Sequence, residues 1–328
     1  MSSNVLLRID PRLAQRLAEK KAELDQCRPL SLATLHSINE DLQLLLTYHS
    51  NAIEGNTLSL RETQLVISHG MTVGGHSMRE HLEATNHAEA FTYLTRLVSE
   101  RSVITRDVIL MLNSIVMDKL LDEAGNFRTG PVTIRGAKLQ PPPASRVAGL
   151  MREWVAWLDG EGAEYPTVLR ASIAHHGFEA VHPFRDGNGR TGRLLLNLIL
   201  MRDGFPPALL LHEWRLAYLE ALSAADSGRY GPIANLVGRA VEQGLDLYLD
   251  ACARTVTTED EEQPLVDIAA AFGYDAEYLG LLIRKGRIAA TKRGRQWYTT
   301  YAAVERYKSE VEQGTMPRGR PRSERGAI

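Results

Sequence analysis

Apolar residues recur every three or four positions over most of this chain, the period of a helix that buries one face. The pattern is clear in RLAQRLAEKKAEL, in SINEDLQLLLTYHS, from Met78 to Leu97 and from Val108 to Leu121. It returns over Arg146–Leu158, Thr167–Phe178, the run after Gly187, Trp214–Ala225 and Gly231–Ala253. Strand-type alternation is scarce. It occurs in GNFRTGPVTIRGAKLQPPP, where Gly125 and Asn126 turn the chain, Val132 and Ile134 alternate with polar neighbours, and three prolines close the segment. A short hairpin on a helical body is predicted there. The fold class is therefore all-α with a hairpin flap. The polar stretch TVTTEDEEQP marks a linker over residues 255–263. It separates the helical body, taken as N-terminal helices over 1–100 and a core over 101–254, from a small module over 264–310 and a flexible basic tail over 311–328.

At 328 residues and 44% apolar, the chain can bury a large core. No apolar run reaches the roughly 18–20 residues of a membrane span, and MSSNVLLRIDPRLAQRLAEK lacks the zones of a secretory leader. A cytoplasmic protein without a membrane partner is expected. Cys27 and Cys252 stand far apart in sequence, which argues for ordinary thiols. Charge changes the picture more. The net −2 hides a C-terminal block from Gly280 with twelve basic and four acidic residues, net +8, which leaves −10 for the rest. Such a block suits nucleic acid.

The densest chemistry lies in HPFRDGNGRTGR, His182 to Arg193. Gly187, Asn188 and Gly189 precede an apolar run, so they open a helix whose first N–H groups can seat a phosphate chain. Arg190 and Arg193 fall on one face of its first turn. Asp186 is suited to Mg2+ bridging phosphates, and His182, next to the rigid Pro183 and the anchor Phe184, is suited to act as general base. The set reads as nucleotidyl or phosphoryl transfer.

The stretch resembles the signature of the Fic family, HxFx(D/E)GNGRxxR, at His182, Phe184, Asp186, Gly187, Asn188, Gly189, Arg190 and Arg193. The resemblance implies transfer of AMP from ATP to a Ser, Thr or Tyr hydroxyl of a target protein or of the chain itself, with release of pyrophosphate. His182 would be the base and Asp186 the Mg2+ ligand. Gly187, Asn188 and Gly189 would form the anion hole for the α- and β-phosphates, with Arg190 on the β- and Arg193 on the γ-phosphate. Val132, Thr133, Ile134 and Arg135 would form the flap on which a target segment lies as an added strand. HSNAIEGNTLS resembles the family's inhibitory motif (S/T)xxxE(G/N), with Ser50, Glu54 and Gly55 closing a helix over about residues 31–55. Its glutamate would pair with Arg193 and displace the γ-phosphate. Some members with this glutamate also remove AMP, and others transfer a different phosphate-containing group.

Other readings stay open. His175, His176, Glu179 and His182 could form a metal site or serve as packing elements. Tyr218 and Tyr230 could line an adenine pocket. VDIAAAFGYDAEYLGLLIRKGRIAATKRGRQWYTTYAAVERY resembles small winged or MerR-like helix-turn-helix modules. That resemblance makes Arg284, Lys285, Lys292 and Arg293 DNA contacts. PRGRPR looks like an AT-hook core, with Arg318 and Arg320 in a minor groove. The alternative function is then a DNA-binding regulator that senses nucleotide. Whether the chain forms a homodimer stays open.

Overall fold

The computed structural model describes residues 9–30, 32–134, 139–259 and 262–312. Arg135, Arg318, Arg320 and the basic tail from residue 313 lie outside them. The chain divides into two compact units, one of residues 1–29 and 35–249, the other of 30–34 and 250–328.

The first unit is helical, in the order α1 (Pro11–Gln26), α2 (Leu32–Glu54), α3 (Leu60–His69), α4 (Met78–Ser99), α5 (Arg106–Val116), α6 (Ala144–Asp159), α7 (Thr167–Val181), α8 (Asn188–Arg202), α9 (Arg215–Ala225) and α10 (Gly231–Glu259). Local chemistry sets several of the starts. Asp10 caps α1 ahead of Pro11, while Ser59 with Glu62 and Ser77 with Glu80 form capping boxes on α3 and α4. Helix α8 lies at the centre. Every residue from Leu194 to Leu200 is buried, because α8 packs on α4, α5 and α7. A helix that is apolar all round has to be enclosed, and this one is cushioned by Phe91, Leu94, Ile109, Leu112 and Phe178 among the fully buried side chains. Helix α2 shares that core through Ile38, Leu42, Leu46 and Ile53. Trp154 of α6 donates to the Ala174 carbonyl at 2.8 Å, fixing α6 on α7.

Two sequence expectations change. The described flap residues Val132, Thr133 and Ile134 are not in a strand. Pro131 and the Pro141–Pro143 run bound the segment at both ends, and a lone two-stranded hairpin is marginal. The expected linker is helical over residues 255–259, inside α10. Between Gly244 and Pro264 the sequence holds neither glycine nor proline, so the polarity of TVTTE does not break the helix.

The second unit continues with β1 (Gln263–Pro264), α11 (Leu265–Ala271), α12 (Ala276–Arg284), β2 (Ala290–Arg293), β3 (Gln296–Thr299) and α13 (Tyr301–Glu312). Its antiparallel sheet has the order β1-β3-β2, with Thr291 facing Tyr298. Gly273, Gly286 and Gly294 take positive φ at the turns. Leu265, Ile268, Leu279, Leu282, Ile288, Val304 and Tyr307 are buried in a core of the unit's own. Among the described residues no helix is long and apolar enough to cross a membrane.

Candidate active site

The link between α7 and α8 is built tightly. His182 caps α7 with φ 49, a left-handed conformation that non-glycine residues rarely adopt. Phe184 is fully buried and meets Phe127 and Phe178. The Asn188 side chain closes the loop, accepting from the Phe184 N–H and donating to its carbonyl, both at 2.9 Å. This amide holds the loop, so only the backbone of Asn188 remains for an anion. Gly187, at φ 78, opens α8, and a Cβ there would lie 2.7 Å from the Met117 sulfur. Asn113 of α5 holds the loop from below, donating to the Asp186 carbonyl at 3.2 Å and to Thr191 Oγ1 at 3.3 Å.

His182 is positioned through its backbone. Its carbonyl accepts from Arg128 Nε at 2.7 Å, and the same guanidinium reaches the carbonyls of Gly130, Pro142 and Val181. Arg128 is 6% exposed. It ties both ends of the flap to the residue that precedes the motif turn. The His182 Nδ1 lies 3.3 Å from the Glu179 carbonyl. A carbonyl can only accept, so Nδ1 carries the hydrogen and the Nε2 lone pair is left for a substrate. Burial, with the Arg128 charge, lowers the imidazole pKa below its ordinary value. The Glu179 carbonyl, Glu54 and Asp186 oppose this without reversing it. His182 is thus held with a depressed pKa and its Nε2 lone pair free.

The two arginines of α8 are both buried, at 3% and 4% exposure. Arg190 Nη1 is 3.3 Å from Glu83 and Nη2 is 3.7 Å from Asp186, yet its Nε and Nη1 make no hydrogen bond. A buried cation with idle donors suits an anionic ligand. Arg193 is fully engaged by α2. Nε donates to Ser50 Oγ at 2.9 Å, and Nη2 donates to the Ser50 carbonyl and to Glu54 Oε1, both at 2.8 Å. The Glu54 carboxylate lies so close to Gly189 that a Cβ there would strike it. A negative charge thus occupies the place that the positive end of α8 presents to phosphate. Crowding by protein would raise the Glu54 pKa, but the Arg193 charge and hydrogen bond, with Arg190 behind, hold it below the ordinary value.

Asp186 is half exposed beside these groups. One oxygen accepts from the Gly187 N–H at 2.6 Å and the other from Arg79 Nη2 at 2.9 Å. Arg79 is itself 52% exposed and shared with Glu83. An accessible carboxylate at the mouth of a phosphate seat fits magnesium, which takes one or two carboxylates with phosphate oxygens and water, once Arg79 swings aside.

The histidines before the motif are not gathered on one point. His175 bonds Tyr218 at 2.8 Å, and His176 bonds Asp226 at 3.0 Å and Tyr230 at 3.3 Å. Burial, with the charge of Arg193, lowers the His175 pKa to about 3. His175 and Tyr218 form a buried polar layer beside Arg193, while His176 bonds the exposed Asp226 and the half-buried Tyr230. Glu179 belongs to that layer too. Burial lifts its carboxyl to about 8, with Glu54 adding to the shift against the pull of Arg193.

Sequence reading missed Arg79, Glu83, Asn113 and Arg128. Asn113 left a trace: it falls on the buried face of α5 with Ile109, Leu112 and Val116, where a polar residue needs a partner. Arg79 and Glu83 are spaced i,i+4 on α4. Arg128 bonds carbonyls only through folding, and no spacing announces that.

Comparison with known proteins places this geometry. The Fic/DOC family model matches residues 103–200. The protein adenylyltransferase fic-1 of Caenorhabditis briggsae is 38% identical over 221 residues, 66% of this chain and 43% of that protein. The chain spans about half the length of the curated relatives it matches. The structure of Fic-1 from C. elegans is 34% identical, with TM-score 0.66 over 74% of this chain and 73% of that one. A Fic domain containing signaling protein from Bacteroides thetaiotaomicron, 23% identical, shares the fold with TM-score 0.68 over 73% of this chain and 98% of that one.

Proposed function

We propose, from the fact that this chain belongs to the Fic/DOC family, that it transfers AMP from ATP to a hydroxyl of a protein, another's or its own, and that the end of α2 holds it inactive. The observation that carries this reading is the full engagement of Arg193 by Ser50 and Glu54 at the N-terminus of α8. The target oxygen attacks the α-phosphorus, its proton passes to His182 Nε2, and the bond to the β-phosphate oxygen breaks to release pyrophosphate. Arg190 and the first N–H groups of α8 bind the phosphates. Asp186 would hold Mg2+, which when bound neutralises phosphate charge. Val132–Ile134, next to the Arg128 clip, are the described residues on which a target segment would lie. To test this, the Glu54→Gly chain is incubated in a lysate with ATP labelled at the α- or the γ-phosphate. Label in protein from α alone, absent with His182→Ala, is expected; label from γ would replace AMP transfer with phosphate transfer.

A second reading attaches to the second unit, because Arg284, Lys285, Lys292, Arg293 and Arg295 are all exposed around α12 and the β2–β3 turn. Cations on a helix end and a hairpin suit duplex DNA. Binding by the full chain should then weaken steeply with salt. Flat salt dependence, or no binding at low salt, removes this reading.

A further inference from the structure

Two turns of chain outside the motif bring three metal-type donors together. His49 lies on α2, one residue before Ser50. His212 and Glu213 belong to the 3-10 turn His212–Trp214 that leads into α9. The Nδ1 atoms of the two histidines are 3.2 Å apart. Glu213 Oε2 is 3.3 Å from His212 Nδ1 and 3.9 Å from His49 Nδ1. The imidazole rings stack at 5.4 Å, and Tyr48 meets His212 edge-on.

Two Nδ1 atoms that face each other can share only one proton, His49 Nδ1 also accepts from the His212 backbone N–H at 3.2 Å, and the Glu213 carboxylate brings a third lone pair alongside. A divalent cation would gather all three lone pairs in exchange for the His212 N–H bond to His49. Around tetrahedral zinc, with ligand atoms at about 2.0–2.1 Å, neighbouring ligands stand about 3.3–3.4 Å apart. Two of the three observed separations already agree with that edge, and Glu213, 61% exposed, has the freedom to shorten the third. Two imidazoles with one carboxylate favour zinc and its transition-metal neighbours over magnesium or calcium, which prefer all-oxygen sets. Among the described residues this is the one such group.

We propose that His49, His212 and Glu213 bind a zinc-type divalent ion that clamps α2 to the turn before α9. Helix α2 is already fastened nearby, where Arg215 Nε donates to the Ile53 carbonyl at 2.8 Å. An ion at His49 would fix the turn that delivers Ser50 and Glu54 to Arg193. It would therefore deepen the inactive state, a consequence that rests on the inhibitory role of Glu54, whereas binding itself does not.

The full chain, stripped with chelator, is titrated with Co2+ and then Zn2+, alongside Glu213→Gln and His212→Ala. One ion per chain, tetrahedral Co2+ absorption in the visible and a zinc-dependent rise in Tm are expected. Affinity should fall at least tenfold in each variant, and the rise in Tm should vanish. No binding by the wild type, or unchanged affinity in both variants, overturns the site. In a chain shown to transfer AMP, zinc should slow self-modification of the wild type several-fold and leave Glu54→Gly unaffected. Equal slowing of both overturns the clamp.

Discussion

Arg193 gives the same nitrogen, Nη2, to the Glu54 carboxylate and to the Ser50 carbonyl, each at 2.8 Å. A γ-phosphate that needs this cation has to displace a charged partner, and that partner leans on Gly189 at the mouth of α8. Glu54→Gly should therefore raise self-modification by at least tenfold, since alignment for attack is worth several kcal/mol and each 1.4 kcal/mol is about tenfold in rate. Arg193→Ala should be inactive with or without Glu54. Rates of label incorporation at one ATP concentration check this; an unchanged rate in Glu54→Gly would leave the residue as a helix end only.

Arg128 should act as a positioning residue. Arg128→Ala removes the clip on the His182 carbonyl and leaves partly buried carbonyls without this donor. In a Glu54→Gly background it should lower kcat by about ten- to a hundredfold with little change in KM for ATP, which is the split expected when a base is misplaced and nucleotide contacts persist. Arg128→Lys, reaching fewer carbonyls, should recover part of the loss. A rise in KM without a fall in kcat would place Arg128 in nucleotide binding.

Burial lowers the His182 pKa, and a base works only when deprotonated. The acid limb of kcat/KM in Glu54→Gly should accordingly fall below the ordinary imidazole value of about 6.5, with the rate flat above it. A limb at or above that value would mean that another group titrates.

Glu179 gives a stability signature of opposite kind. Its carboxyl is raised to about 8 from 4.5, so between those values the folded chain holds a proton that the unfolded chain has lost. Stability from this group is complete below about pH 4.5 and declines as pH rises toward 8. Glu179→Gln should flatten the fall in Tm over that window. A wild-type Tm that rises with pH, with the same slope in the variant, would rule this out.

The helical body and its catalytic turn were legible because their signals are local. A 3.6-residue period gives α7 and α8, and the order of residues from His182 to Arg193 carries its own chemistry. Glu54 was legible for the same reason, as part of a short motif at a helix end. What stayed hidden depends on distance in the chain. Arg128 meets His182 across 54 residues and His49 meets His212 across 163, and nothing in either neighbourhood encodes the meeting. The flap is described only in part, with Val132–Ile134 not in a strand and residues 135–138 outside the described residues. Alternation of Val132 and Ile134 describes which sides they would face in a sheet, but a strand also needs a partner, and alternation does not supply one.

Helix α2 is both the bearer of Glu54 and a wall of the core, with Leu42 fully buried and Ile38, Leu46 and Ile53 nearly so. Under the inhibitory role proposed for Glu54, a constitutively active form cannot be made by cutting the segment away, because the cut would open the interior that supports α8. On that proposal, activation would be an affair of the last turn. Release of Glu54 and Ser50 at Gly55 would leave the beam in place, so the natural switch, whatever triggers it, should look like fraying at a tip, visible as faster amide exchange over Asn51–Gly55 while Leu42 and Leu46 stay protected.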